Sequence, residues 1–101
     1  MNKTITLQTG NSDDKLTQVE WSELVNDLGR VIQQLNDLGL LEIHFGGSSP
    51  SYAPWQNYCW VFEMKTDIIS ILSSIRQEVS VIRERHNQCS VAWTKGETEF
   101  I

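Results

Sequence analysis

The chain has 101 residues, with 13 acidic side chains against 8 basic ones and a net charge of −5. That length corresponds to one domain, residues 1–101, with room for a single core between two packed layers. The negative charge disfavours nucleic acid and anionic lipid as partners, and makes a basic protein surface the natural complement.

The charge is unevenly spread. Residues 1–45 carry seven acids and three bases, whereas residues 46–101 carry six and five, so the anionic field belongs to the first half. No apolar run approaches the roughly 18 residues of a membrane span, and the stretch MNKTITLQTG holds no long apolar run. A cytoplasmic address is expected. In that reducing compartment Cys59 and Cys89 remain thiols and act as small buried apolar groups.

Residues Thr4 to Gln8 alternate polar and apolar, with Ile5 and Leu7 on one face, which is the period of a half-buried strand. The polar cluster Gly10 to Lys15 is a loop. Thr17 followed by Glu20 fits a capping box that opens a helix. Its apolar stripe runs through Trp21, Leu24, Val25, Leu28, Val31, Ile32, Leu35 and Leu38, and Gly39 ends it.

Leu41, Ile43 and Phe45 then form a second strand with its odd-numbered residues facing the core. A twelve-residue connection follows, Gly46 to Asn57, longer than most hairpin loops. Tyr58 to Met64 reads as a third strand, apolar on both faces and therefore central. Either Tyr58, Trp60 and Phe62 face the helices or Cys59, Val61 and Glu63 do; side-chain bulk favours the aromatics inward.

Thr66 and Asp67 can cap a second helix whose buried face is Ile68, Leu72, Ile75, Val79 and Ile82. Cys89, Val91 and Trp93 alternate in a fourth strand. Lys95-Gly96 could turn the chain into a short fifth strand, Glu97 to Ile101, with Phe100 opposite Val91 and Thr98 opposite Trp93.

The order β-α-β-β-α-β is that of an α+β, two-layer ferredoxin-like sandwich, an antiparallel sheet of order 4-1-3-2 with both helices on one face and an extra C-terminal strand. Strand directions bring three connections to one end: Gly10 to Leu16, Gly46 to Asn57, and His86 to Gln88. The fold alone predicts no activity.

Candidate sites follow from that convergence. The segment from Gly46 to Phe62 holds both prolines, both tyrosines and two of the four tryptophans. Tyr52 and Trp55 in its loop are suited to anchoring a partner, or else to packing on their own domain. Asp13, Asp14, Glu20, Glu23 and Asp27 form either a solvated helix start or a surface that mimics phosphates towards a basic protein.

Other chemistries are poorly supported. An exposed aromatic third strand would suit RNA, yet the first strand offers no aromatic and basic residues are scarce. His44, Cys59, His86 and Cys89 lack zinc spacing, so no metal or cofactor is expected, with His44 read as an exposed strand residue. No nucleophile is marked by an orienting group, so no enzyme is expected. Gly46-Gly47-Ser48-Ser49 leads towards a strand rather than a helix, and reads as a flexible turn.

Small, acidic, without catalytic motifs and carrying exposed aromatics, the whole chain resembles the immunity proteins of bacterial polymorphic toxin systems, such as those of contact-dependent growth inhibition. The resemblance is one of overall profile. It implies stoichiometric neutralisation of a cognate toxin, often a nuclease. The alternative from another class is a small-molecule-sensing or regulatory domain that acts as a homodimer, and the sequence leaves monomer and homodimer both open.

Overall fold

The computed structural model describes residues 3–11, 16–50, 56–66, 69–88, 91–97, 99 and 101. The elements are β1 (Lys3–Gly10), α1 (Gln18–Asp37), β2 (Leu41–Ser48), β3 (Asn57–Met64), α2 (Ile69–Arg85) and β4 (Ala92–Glu97). They form the ferredoxin-like sandwich, with an antiparallel sheet of order β2-β3-β1-β4. Among the described residues no helix is long and apolar enough to cross a membrane.

Period-two alternation selects the buried face. Ile5 and Leu7 of β1, Leu41 of β2, and Trp60, Phe62 and Met64 of β3 meet Trp21, Leu24, Leu28 and Ile32 of α1 and Ile75, Val79 and Ile82 of α2. The aromatics of β3 therefore point inward, as bulk favours. Gly29 of α1 faces the Trp60 indole, which a Cβ there would meet at 3.7 Å, an ordinary packing distance. Tyr58 lies against Trp60 with ring centroids 4.6 Å apart, and Phe62 meets Trp93 edge-on at 6.2 Å.

Both helices stop for local reasons. Thr17 and Glu20 make the reciprocal capping box at the start of α1. At its end Gly39 takes a positive φ of 75°, Gly39 N–H reaches Asn36 O and Leu40 N–H reaches Leu35 O, which is a Schellman ending. The same geometry ends α2, with Asn87 at φ 56°, Asn87 N–H on Glu84 O and Gln88 N–H on Arg83 O. Asparagine tolerates this conformation better than most residues.

Five expectations need correction. Leu38 is 72 % exposed because it is the C-cap, beyond the last buried turn. Phe45 is 56 % exposed rather than in the core. The β2/β3 register shifts between Ile43 and Phe45, so Ile43 pairs with Phe62 but Phe45 pairs with Val61; the extra residue of this bulge carries Phe45 to the uncovered face. Gly46 to Ser48 is strand, not flexible turn, because bare glycines let Trp60 pass Gly46 and the Phe45 ring lie over Gly47. Lys95 and Gly96 do not turn; they continue β4, opposite Ile5 and Thr4. Cys59 is only half-buried, since alternation puts it on the face that the helices leave open.

Several expected features fall on Asp67, Ile68, Cys89, Thr98 and Phe100, which lie outside the described residues. These are the second helix cap and first apolar position, the second thiol, and the partners of the fifth strand.

Thr9 stands on the core face of β1 at 2 % exposure, and its hydroxyl has no hydrogen-bond partner among the described residues. Burial of an unpaired hydroxyl is costly. Thr9→Val, nearly isosteric, should raise stability by about 1 kcal/mol in chemical denaturation; a loss of stability would show that the hydroxyl is paired.

Candidate functional site

The three connections expected at one end of the sheet do lie there: backbone and amide groups join two of them, and His86 of the third reaches α1 at Asp27 beside Leu16. Asn11, at 3 % exposure, is the fastening point. Its Oδ1 accepts from Leu16 N–H at 3.1 Å, its Nδ2 donates to Leu16 O at 3.1 Å and to Gln56 Oε1 at 3.1 Å, and its own N–H donates to Gln56 O at 2.8 Å. One buried amide thus closes the β1–α1 connection on itself and holds it to the β2–β3 connection.

Gln56 also reaches the first residue of α1. Its Nε2 donates to Gln18 Oε1 at 2.8 Å, and Gln18 Nε2 donates back to Gln56 Oε1 at 3.1 Å. Ser49 and Asn57 close the base of the β2–β3 connection, with Ser49 N–H on Asn57 O at 2.8 Å and Asn57 N–H on Ser49 Oγ at 3.0 Å. Composition hid Asn11 and Gln56; the only sequence signal is an asparagine just past a strand end, where such side chains fold connections back.

The predicted acidic set divides. Asp13, Asp14, Tyr52 and Trp55 lie outside the described residues. Glu20 is committed to the helix cap, and the Thr17 amide it accepts holds its carboxyl below the usual range. Glu23 is exposed at the start of α1, close in sequence to Val19, which is 68 % exposed.

Asp27 departs from its expected place on the exposed side of the helix. Its side chain is 21 % exposed and sits under the end of α2, with Oδ2 2.9 Å from His86 Nε2 and 3.6 Å from Arg85 Nη1, and with Oδ1 3.4 Å from Arg30 Nη1. The Schellman ending at Asn87 is what delivers His86 to it. The hydrogen bond from His86, and then the charges of His86, Arg30 and Arg85, hold the Asp27 carboxyl below the usual carboxylate range despite partial burial. Asp27 is thus a clasp between helices more than a free anion.

A shallow cavity of about 320 Å³ opens above this clasp, lined by Leu16, Glu20, Glu23, Asp27, Arg85, His86 and Asn87. The His–Asp pair would orient an imidazole for base catalysis, but no hydroxyl or thiol side chain is among these lining residues, so the described lining does not assemble a nucleophile.

A second cluster occupies the open face of the sheet. Glu42 and Glu63 are cross-strand partners, and like charges directly opposed destabilise a sheet. His44 Nε2 lies 3.3 Å from Glu63 Oε2, and Lys65 Nζ lies 3.0 Å from Glu42 Oε2 and 3.9 Å from Glu63 Oε1. The hydrogen bond with Lys65 lowers the Glu42 pKa and raises that of Lys65. Spacing rules could not find this cluster, because its members come from two strands whose pairing register joins them.

Asn11→Ala would leave both Leu16 backbone groups without their partner, and should cost about 1–3 kcal/mol in urea denaturation. A change near zero would mean that water replaces the amide. For Asp27, a pKa lowered in the folded state stabilises above the unfolded value near pH 4, and that contribution disappears as pH falls through the folded value. Asp27→Asn should therefore be less stable than the parent at about pH 7, with the deficit shrinking as pH falls below about 4; a deficit that does not shrink in acid would assign the loss to packing. Comparison of the chain with protein-family models, curated proteins and solved structures returned no match.

Proposed function

We propose that the chain is a stoichiometric inhibitor, an immunity protein that binds and neutralises a cognate bacterial toxin in the cytoplasm, with a basic nuclease domain as the best-matched class. The reading rests chiefly on the reciprocal Gln18–Gln56 amide pair. This pair ties the start of the acidic helix to the last residue before β3, so the roots of two partner-facing segments form one fixed end. Fixed roots reduce the ordering cost of association.

Glu20 is engaged by its cap and Asp27 by His86, which leaves Glu23 and the exposed Val19 as described contact groups. The segments 12–15 and 51–55, rooted beside them, contribute Asp13, Asp14, Tyr52 and Trp55. In this reading carboxylates steer the encounter and aromatics hold the complex.

The uncovered sheet face favours a second reading, a regulatory homodimer that takes a small molecule between subunits. Phe45 is exposed there, beside half-buried Val61 and Cys59. A monomer by light scattering, with no thermal shift across a metabolite panel, would remove it.

The first reading is tested by co-expression with the product of the adjacent upstream gene. A complex and rescue of growth are expected. Asp14→Lys combined with Trp55→Ala should abolish both, whereas Glu23→Lys should slow association and flatten its salt dependence. Absence of both complex and rescue with the parent chain defeats the proposal.

A further inference from the structure

We propose that Glu42, His44 and Glu63 form a binding site for a divalent transition-metal cation of the zinc class on the open face of the sheet. One ligand atom from each residue lies within 4.8 Å of the other two. An imidazole nitrogen with two carboxylate oxygens is a ligand set for zinc and its neighbours, whereas magnesium and calcium prefer oxygen alone.

Two features favour a cation at this surface. The first is the bulge: with Ile43 paired to Phe62 and Phe45 to Val61, His44 is the extra residue, and its ring reaches Glu63. The second is Lys65, whose ammonium already contacts both opposed carboxylates, closely at Glu42 and more distantly at Glu63. The Glu42–Glu63 repulsion is therefore relieved by a positive group, and a dication would relieve it more fully.

Lys65 is free to yield that place. Its side chain is 45 % exposed just past the end of β3, so it can swing into water. A tetrahedral shell needs neighbouring ligand atoms about 3.3 Å apart, given bonds near 2.0–2.1 Å. The Glu42 side chain, 57 % exposed, can close the difference by rotation. Three protein ligands leave a fourth position open to water or to a partner's side chain.

The test is calorimetric titration of the full chain with zinc chloride, alongside cobalt(II) absorption to report coordination geometry. One equivalent is expected, with intense visible bands for tetrahedral cobalt. Glu63→Gln and His44→Gln, near-isosteric changes on an uncovered face, should each weaken binding by about tenfold or more. Lys65→Met should strengthen it, because the internal competitor is gone. Circular dichroism establishes that each variant is folded. No binding by the parent chain, binding indifferent to Glu63→Gln and His44→Gln, or weaker binding by Lys65→Met would each overturn the assignment.

Discussion

The strict alternation of β3 governs most of this molecule. Trp60, Phe62 and Met64 can reach the helices only if Val61 and Glu63 face away from them, and β3 is held in that phase by β1 on one side and β2 on the other. Slipping the strand by one residue would expose three large apolar groups and bury a carboxylate, so the register is fixed by the cost of both. The core and the open-face cluster are thus two outcomes of one constraint. Glu63 lies opposite Glu42 because Phe62 must lie beneath the helices.

Against that regular ladder, one irregularity has wide effect. The bulge at His44 adds a single residue to the edge strand, moves Phe45 out of the core, and carries the imidazole to Glu63. Beyond it the two strands regain their pairing, with Gly46 and Gly47 accommodating Trp60 and Phe45. Asn36 Oδ1 accepts the Ile43 N–H at 3.1 Å, so the end of α1 covers part of this edge just before the bulge.

At the opposite end of the strands, polar clasps replace apolar packing. Asn11 binds Leu16 and Gln56, Gln56 binds Gln18, and Asp27 binds His86. Loops cannot bury enough apolar area to fix themselves, and side-chain amides satisfy their backbone groups instead. The cost is that acids which looked available at the level of composition are partly committed. Glu20 closes a helix and Asp27 joins two, so the anionic character of this end is smaller than a residue count suggests.

Much of the fold was legible in the chain because it rests on local periodicity. The stripe from Trp21 to Ile32, the Thr17–Glu20 box, the glycine stop at Gly39 and the inward aromatics of β3 all follow from spacing and bulk. Strand order and the convergence of three connections follow in turn from element order and handedness. What spacing could not supply was contact between residues distant in sequence: Asn11 with Gln56, Asp27 with His86, Glu42 with Glu63. The bulge was equally hidden, since Leu41, Ile43 and Phe45 alternate perfectly on paper. Alternation records which face each residue would prefer, whereas a bulge is decided by the match between two strands, including two glycines and a tryptophan from the neighbour. The sequence by itself therefore determined the element order, the topology and the buried faces of β1, α1 and β3; only the tertiary structure decided the face of Phe45, the extent of β2 and β4, and which charged groups are joined, because these depend on register and on helix ends meeting in space.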